Sequence, residues 1–506
     1  MKHALIPAML FAAVSLSAQQ PSLIIVNGNV FTNDPEKPSA QAIAITGSQI
    51  TAVGSNAQIK GMAGEKTRVY DAQGRLVIPG FNDAHMHPAS GSPAFALSTE
   101  LDAKWDQIAS ALQFATDEMP ADMWITGTLG PALINDPTLT REKLDKAARG
   151  RKVLLHAFTG HGLVMSSAAM KALGVADDAP DPLGGRYERD ANGKLNGRAQ
   201  EYAQWIVERR FADLASDDEM VEAIMNLSGE ALRYGITSVQ AMPMASEERF
   251  AKAMSKANVP LRIRLISFPM DAGKPQSLQP RGAIKWILDG TPIERGAALR
   301  EARYADDTSG RENFADIGPL LQVAADKKAQ LLVHASGDKT IATVLNALST
   351  RALDRPRLEH ADGLLRDLVP LAKRAGAIAV LNPSHFPLRD FFPKSTPYMP
   401  AATLVKSEIP IAIGSDGPLN PFLSFMLAVA RPDQPNESLT RQQALRAYTS
   451  GSAYAEFTEK TKGRIAPGML ADLAVLSQDI ITAPTGALPE TVSVLTVIDG
   501  KVAYEQ

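Results

Sequence analysis

The stretch VIPGFNDAHMHP, residues 77–88, decides the fold class that we predict for this chain. The apolar run LVIPGF at 76–81 has the composition of a buried strand, and His85 and His87 follow it directly. Side chains two residues apart on an extended chain point the same way, so both imidazoles can bind one metal ion. A lone pair of this spacing is weak evidence, and its meaning depends on the rest of the chain.

Strand-like runs alternate with amphipathic helical patterns after this stretch. The further runs lie at 153–158, 236–242, 283–288, 329–335, 357–361, 377–382 and 409–416, with two more candidates near Trp124 and Arg262. Such alternation predicts a parallel sheet, and closure into a barrel is the leading arrangement. We therefore predict an α/β fold with a (β/α)8 TIM-type barrel, for which ten candidate strands compete for eight places.

The two chain ends resemble each other in texture. Residues 23–54 and 463–506 both consist of short β-branched runs separated by tight turns, such as Asn27-Gly28 and Asp499-Gly500. We predict a small β-sandwich made from both ends, although two unrelated β-rich segments would give the same pattern. We expect the sandwich to comprise residues 19–79 and 456–506 and the barrel to comprise residues 80–455, with a hairpin insertion near 176–200.

The first residues indicate export from the cytoplasm. Lys2 and His3 precede an apolar stretch that is too short to span a bilayer easily, and small residues followed by Gln19 and Gln20 end it. This layout is typical of a secretory signal peptide, which we place at residues 1–18. The expected location is therefore periplasmic or extracellular.

Composition excludes several kinds of chemistry. The 506 residues include no cysteine, so disulfides, thiolate nucleophiles and cysteine-ligated metals are ruled out. The net charge is −3, from 52 basic and 55 acidic residues, which gives no reason to expect nucleic acid as a partner. No later segment is apolar enough to cross a membrane.

The remaining metal-binding side chains follow the same rule as the first two histidines. His334 and His360 end predicted strands, and Asp416 ends the last one. Active sites of α/β barrels lie at the carboxyl ends of the strands, so these side chains should converge. Any one of them alone would more often be a hydrogen-bonded core residue. Together the order HxH…H…H…D predicts a metal centre.

This pattern resembles the amidohydrolase superfamily, and more narrowly amidohydrolase family 3, in the branch that includes the N-substituted formamide deformylases. The motifs that carry the resemblance extend over residues 23–480 and include VIPGFNDAHMHP, DPLGGRYERDANGKLNGRAQE, IKWILDG, VHASGDK, RLEHADG, GSDGP and KGRIAPGMLADLAVL. Lys285, in IKWILDG, falls on the strand where the family places a lysine. A solvated lysine on a strand is the alternative interpretation.

The resemblance implies a binuclear centre with two divalent metal ions, zinc in the first place, with manganese or iron as alternatives. His85 and His87 would bind one ion and His334 and His360 the other, with carbamylated Lys285 as the bridge. A carbamate is an anionic ligand with two oxygens, which suits such ions. Asp416 would bind the first ion and act as general base and then general acid. A mononuclear scheme is the alternative.

Two more histidines lie in turn-rich segments after predicted strands. The resemblance implies that His161 and His385 donate hydrogen bonds to the substrate carbonyl or transition state, whereas surface loop histidines are the alternative. The motif around each differs from the usual family pattern, with Thr159 and Asn382 among the changed neighbours, which puts inheritance of the substrate in doubt. His156 is interpreted as structural, and Glu201 either as a partner of a site residue or as a helix-start residue.

The loop SHFPLRDFFPKSTPYMP, residues 384–400, has two interpretations. Its aromatic residues and Arg389 suit a lid that recognises an apolar group beside a carboxylate. A proline-rich loop that packs its own aromatics fits equally well.

The function we predict is metal-dependent hydrolysis of a C–N bond in a small N-acyl or N-formyl amine, an N-acyl amino acid or a dipeptide-like amide. Hydrolysis of an ester, carbamate or cyclic amide, and a metal-dependent isomerase or decarboxylase in the same site, are the alternatives. A binding protein on the same fold would be marked by missing ligands, and none is missing. The expected partner is a small-molecule substrate, with no nucleic acid and no membrane span, and a homodimer is compatible with the chain.

Overall fold

A computed structural model describes residues 20–270 and 282–506, so the predicted signal peptide at 1–18 lies outside the described residues. The strands are, in chain order, β1 (Leu23–Val26), β2 (Asn29–Phe31), β3 (Ser39–Ala40), β4 (Ala42–Thr46), β5 (Gln49–Gly54), β6 (Arg68–Asp71), β7 (Leu76–Pro79), β8 (Phe81–Met86), β9 (Ala94–Ala96), β10 (Trp124–Leu129), β11 (Val153–Ala157), β12 (Gly162–Met165), β13 (Gly185–Arg189), β14 (Leu195–Glu201), β15 (Ile236–Ala241), β16 (Arg262–Leu265), β17 (Ala283–Ile287), β18 (Gln330–Ala335), β19 (Arg357–His360), β20 (Ile378–Leu381), β21 (Ile411–Ile413), β22 (Leu473–Leu476), β23 (Ser493–Ile498) and β24 (Lys501–Glu505).

The helices lie mainly between the strands of the central part of the chain. They are α1 (Asn56–Lys60), α2 (Trp105–Glu118), α3 (Pro131–Ile134), α4 (Arg141–Ala147), α5 (Ser167–Ala172), α6 (Tyr202–Ala212), α7 (Asp217–Arg233), α8 (Glu247–Ala257), α9 (Gly318–Lys327), α10 (Asp338–Thr350), α11 (Val369–Ala375), α12 (Ala401–Lys406), α13 (Pro421–Val429), α14 (Arg441–Arg446) and α15 (Ser452–Ala455). Within residues 20–270 and 282–506, no helix has the length and apolar character needed to cross a bilayer.

Eight parallel strands form the centre of the fold in two sheets. One sheet has the order β16-β15-β8 and the other β17-β18-β19-β20-β21, and every pairing is parallel. The sheets are not closed into one continuous barrel. Backbone hydrogen bonds join them locally, from Ser267 N to Ala283 O at 2.9 Å and from Asp416 N to His85 O at 3.0 Å. The predicted α/β class is therefore seen, and barrel closure stays a prediction.

These strands are buried on both faces. Every residue of β8, β15, β17, β18, β19 and β20 is buried. Helices cover the sheets, and α7, for example, packs against β15, with Ala231 in the same apolar cluster as Ile236 and Val239. Parallel strands covered in this way need near-continuous apolar runs, which is why their sequences lack the alternation of half-exposed strands.

The run predicted as a single strand at 76–81 is in fact divided at Gly80. β7 ends at Pro79 and pairs with β22 and β2, whereas β8 begins at Phe81 and pairs with β15. A Cβ atom on Gly80 would lie 2.2 Å from Thr237 Oγ1, so only glycine allows the chain to pass between the two sheets here. His85 consequently lies within a strand of the parallel core and does not follow it.

Two of the ten candidate strands do not join the parallel core. The runs near Trp124 and at 153–158 form β10 and β11 of a separate six-stranded sheet with the order β13-β14-β12-β11-β10-β9. The predicted hairpin is its edge, since β13 and β14 pair antiparallel on either side of the turn at Asn192-Gly193. Apolar runs of this length look alike in either sheet, so sequence cannot assign them.

Strands from both chain ends pair with each other. One six-stranded sheet has the order β24-β23-β22-β7-β2-β3, and a four-stranded sheet has the order β5-β4-β1-β6. Side chains of both sheets, including Ile25, Ile43, Val77 and Leu473, form one apolar cluster. The domain boundaries given above stay predictions.

Candidate metal centre

Side chains from four strands of the parallel core converge on Asp416. Its Oδ2 lies 3.5 Å from His85 Nε2 and 3.8 Å from His360 Nδ1, and its Oδ1 lies 3.9 Å from His87 Nε2. His385 Nε2 lies 3.8 Å from Oδ2. The backbone of Asp416 has a φ of 39°, and its amide donates to the His85 carbonyl, which turns the carboxylate inward after β21. One carboxylate thus faces four imidazoles.

These atoms fit divalent metal ions. His85, His87 and Asp416 form one group whose ligand atoms lie within 4.8 Å of one another, and His360, His385 and Asp416 form a second. His334 Nε2 and His360 Nδ1 are buried without a hydrogen-bond partner among the described residues. Buried polar atoms are rarely left unsatisfied, and imidazole with carboxylate is a donor set suited to zinc. We conclude that the centre is built to hold metal.

The electrostatics keep the histidines in the form that binds metal. Burial, with the positive charge of Lys285, lowers the pKa of His87 to about 4 and that of His85 well below its usual value. Burial also lowers the pKa values of His334 and His360 strongly. Neutral imidazole is the ligand form, so protons compete little with metal here.

Lys285 is buried inside this cluster. Its side chain is 1% exposed, and its Nζ lies 2.9 Å from His85 Nε2. The interpretation as a solvated lysine is therefore wrong. Burial lowers the pKa of Lys285 to about 8, which increases the fraction of neutral amine. Neutral amine is the form that could react with carbon dioxide, and carbamylation itself stays a prediction.

Comparison with known protein families identifies the family of this chain. Residues 68–504, most of the chain, match the model of the amidohydrolase family. The chain belongs to the amidohydrolase family. The resemblance predicted from the motifs is confirmed, and the protein is a metal-dependent hydrolase that acts on carbon–nitrogen bonds.

Individual relatives cover nearly the whole amidohydrolase chain. N-substituted formamide deformylase from Arthrobacter pascens is 28% identical, over 96% of this chain and 99% of its own. A solved structure of an uncharacterized metal-dependent hydrolase from Pyrococcus horikoshii OT3 has a TM-score of 0.71 at 19% identity, covering 92% of this chain and 99% of its own. Atrazine chlorohydrolase TrzN from Arthrobacter aurescens TC1, solved with zinc, has a TM-score of 0.55 at 16% identity, covering 96% and 95%. At such identities the two structures show the fold alone.

Buried carboxylates that the sequence analysis missed lie beside two histidines of this amidohydrolase, and one of them is hydrogen-bonded to His85. Glu359 Oε2 lies 2.6 Å from His85 Nδ1, and Arg357 binds both oxygens of Glu359. Asp289 accepts three backbone amides and lies 3.7 Å from His334 Nε2. Burial raises the pKa of Asp289 to about 7. Glu359 and Asp289 could have been found in the sequence, because each is a charged residue in or directly after an otherwise apolar run.

His87 is held by the backbone instead of a carboxylate. Its Nδ1 donates to the Met242 carbonyl at 3.0 Å, which leaves Nε2 facing Asp416. A hydrogen bond to one ring nitrogen fixes the tautomer and so determines which nitrogen can bind metal. Both members of the HxH pair therefore present Nε2 to the centre, as the two-residue spacing predicts.

His161 lies at the edge of the metal centre, beside His334. The two ring centroids are 4.5 Å apart, and His161 Nδ1 lies 3.1 Å from Glu201 Oε1. Burial opposes protonation, but the Glu201 carboxylate outweighs it and raises the pKa of His161. Glu201 also accepts from Asn313 and makes no cap bond to α6. Glu201 thus stands at the N-cap position of α6, but its side chain is used as the partner of a site residue and not as a cap.

His385 is closer to the centre than the sequence analysis placed it. Its ring stacks on that of His360 at 5.4 Å, and its Nε2 donates to the Asp416 carbonyl at 3.0 Å. It could serve either the substrate or a metal ion. His156, in contrast, binds Glu208 and contacts Phe211 away from the centre, in agreement with a structural role.

The loop at 384–400 packs its own aromatic residues. Phe386, Phe392 and Tyr398 are buried, and the last two rings stack at 4.2 Å. Arg389 is buried and donates to the carbonyls of Phe392 and Thr396. Because this guanidinium is used within the loop, the structure supports the self-packing interpretation and not the lid.

A cavity of about 430 Å³ opens beside His161 and Glu201. The hairpin of β13 and β14 forms one wall, and the segment 290–313 forms the other. A second cavity, of about 660 Å³, adjoins His87 and is lined by the side of α7. The second cavity includes the proposed ligand His87 in its lining, whereas the first adjoins the centre through His161 and carries far more polar side chains.

Proposed function

We propose that this amidohydrolase hydrolyses the amide-type C–N bond of a small N-acyl or N-formyl amine, N-acyl amino acid or dipeptide-like substrate. The observation that carries the proposal is the position of the Asp416 carboxylate, within 3.5–3.9 Å of imidazole nitrogens of His85, His87, His360 and His385. A carboxylate in this position can bind metal and also move a proton to the nitrogen of a leaving group.

The proposed ligands form two sets. His85, His87 and Asp416 would hold one divalent ion and His334 and His360 a second, with carbamylated Lys285 between them. Divalent ions, zinc in the first place, would act as Lewis acids that lower the pKa of water and polarise a carbonyl oxygen. The short distance from Lys285 Nζ to His85 Nε2 supports this placement of the bridge, since both groups face the same space.

Protein side chains perform the proton transfers in this proposal. Asp416 takes a proton from the attacking water on a carboxylate oxygen as the new C–O bond forms, and returns it to the departing nitrogen as the amide C–N bond then breaks. Protonated His161, the form that the Glu201 carboxylate favours by raising its pKa, keeps Nδ1–H on Glu201 and presents Nε2–H as a donor to the acyl oxygen. His385 would be a second donor on the side of Asp416 once its Nε2–H exchanges the Asp416 carbonyl for the substrate oxygen.

Three further features of the protein belong to this proposal. We propose that the two parallel sheets act as one (β/α)8 barrel, because backbone bonds already connect them at Ser267 and at Asp416. The composition of residues 1–18 supports export and an extracytoplasmic substrate. A homodimer stays a prediction.

The test combines metal content with a substrate panel. We expect about two metal ions per chain by elemental analysis, and hydrolysis of N-formyl or N-acetyl amines and amino acids. Lys285→Ala should lose most of the metal and the activity, whereas Lys373→Ala, a surface lysine paired with Glu408, should lose neither. One ion that is unaffected by Lys285→Ala would refute the bridge. Turnover of esters or isomerisation without amide hydrolysis would refute the assigned bond.

A further inference from the structure

One face of the β13–β14 hairpin forms a wall of the cavity beside His161. Arg186 pairs with Gln200 across the two strands, and residues two positions apart share a face of a strand. Arg186, Glu188, Arg198 and Gln200 therefore line the cavity together. The hairpin therefore places two arginines, Arg186 and Arg198, on the cavity wall, which the motifs of the metal centre did not predict.

The cavity adjoins the metal centre through His161. His161 and Glu201 line it, as does Gly290, whose Cβ would lie 2.6 Å from Glu201 Oε1. The His161 ring in turn lies 4.5 Å from the ring of His334. A molecule of small-metabolite size in the cavity can therefore place one end against His161, beside the metal ligand His334, and the other against the hairpin.

The acidic side chains of this cavity already have partners. Glu188 binds Arg198 at 2.9 Å, and Asp306 binds Arg295. Glu201 binds His161. Glu294 accepts the hydroxyls of Thr159 and Thr291. Within the described residues, none of these four carboxylates forms an ion pair with Arg186 or Arg311.

Two guanidinium groups remain without a carboxylate. Arg186 donates from Nε to Gln200 Oε1 at 2.7 Å and forms no ion pair within the described residues. Arg311, on the opposite wall, forms neither a side-chain hydrogen bond nor an ion pair with any residue of 20–270 or 282–506. Both side chains are exposed to solvent at the mouth of the cavity. Desolvation and the nearby charge of Arg186 lower the pKa of Arg311, although Glu201 and Asp181 oppose the shift.

We propose that Arg186 and Arg311 form an anion subsite that binds a carboxylate of the substrate while the scissile amide lies toward His161 and His334. Guanidinium groups bind carboxylates through paired hydrogen bonds, and two of them across a cavity hold one carboxylate from both sides. The inference rests on the proposed amide hydrolysis and narrows its substrates to those with a free carboxylate, such as N-acyl amino acids. Arg389, the arginine that sequence suggested for this role, is used within its own loop.

The kinetic test compares matched substrates. An N-acetyl amino acid and the N-acetyl amine that lacks only its carboxylate are assayed with the metal-loaded wild type, Arg186→Met and Arg311→Met. Each variant should lose roughly 10- to 100-fold in kcat/KM on the acid, mainly through KM, the range expected for a hydrogen bond to a charged group. The amine should be unaffected. Arg303→Met is the control, because that arginine contacts only backbone carbonyls outside the cavity.

Direct binding separates this inference from the proposed function. Calorimetry with an N-acetyl amino acid should give binding to the wild type that weakens about tenfold or more in Arg311→Met, with unchanged metal content and melting temperature. Binding of this kind without turnover would refute the hydrolysis and leave the subsite standing. Equal hydrolysis of acid and amine, unaffected by both substitutions, would refute the subsite and leave the hydrolysis. Inorganic phosphate binding more tightly than acetate through Arg311 would overturn the carboxylate assignment.

Discussion

Glu359 accepts a hydrogen bond from His85 across the floor of the metal centre, with 2.6 Å between Oε2 and Nδ1. Both side chains are fully buried, and Arg357 neutralises the carboxylate through its Nε and an amino nitrogen, at 2.8 and 3.0 Å. The bond fixes the proton of His85 on Nδ1, so Nε2 keeps its lone pair toward Asp416 and Lys285. Carboxylates in this position orient a histidine ligand and raise its basicity.

Glu359→Gln should therefore weaken metal binding. We expect the affinity for zinc to fall roughly 10- to 100-fold, because an amide neither fixes the tautomer nor raises the basicity of the imidazole as a carboxylate does. Competition with a chelator measures the affinity. Glu408→Gln, an exposed glutamate, is the control. Unchanged zinc affinity would show that Glu359 only fills space.

Asp416→Asn should abolish hydrolysis. The amide cannot accept the proton of the attacking water, so we expect kcat to fall by about 10²- to 10⁴-fold. Asp390→Asn, on the exposed surface, should be as active as the wild type. The melting temperature of both variants checks the fold. If Asp416→Asn were active within a few-fold of the wild type, another residue would have to move the proton.

The ion pair of His156 and Glu208 should make stability depend on pH. Burial opposes the charge on the imidazole, but Glu208 outweighs it and raises the pKa of His156 above its usual 6.5. A raised pKa in the folded state stabilises the protein below the unfolded value and loses this effect as pH rises through the folded value. His156→Gln should therefore lower the melting temperature by roughly 1–3 °C more at pH 6 than at pH 9. An equal loss at both pH values would mean that the pair is not charged.

Gly80→Ala should destabilise the whole fold. The added methyl group would lie within 2.2–2.8 Å of three side-chain atoms of Thr237, and overpacking of this kind costs about 1–3 kcal/mol. Gly229→Ala is the matched control, since nothing lies within 4 Å of its Cβ position on α7, and alanine there should stabilise slightly. Denaturation of both variants gives the comparison. A neutral Gly80→Ala would show that β7 and β8 can shift at this junction.

The site was predicted from where its residues lie relative to the predicted strands. His334, His360 and Asp416 each end or closely follow a buried apolar run, and ends of parallel strands meet at one edge of a sheet. That rule alone predicted that they converge with His85 and His87. It could not predict Glu359, because strand alternation places this residue on the face opposite His360. Alternation fails for this pair, since His360 has a φ of 71°, outside the strand region.

The sequence by itself determined the α/β class, the family and the residues that converge, because each depends on the period of apolar residues and on motifs local to one segment. Tertiary structure alone decided where the run at 76–81 divides, which sheet the strands at 124–129 and 153–157 enter, and that Arg186 and Arg311 line one cavity. These outcomes depend on contacts between segments far apart in the chain. Many strand pairings bury the same apolar runs equally well, so the choice among them is made by packing, which no local pattern records.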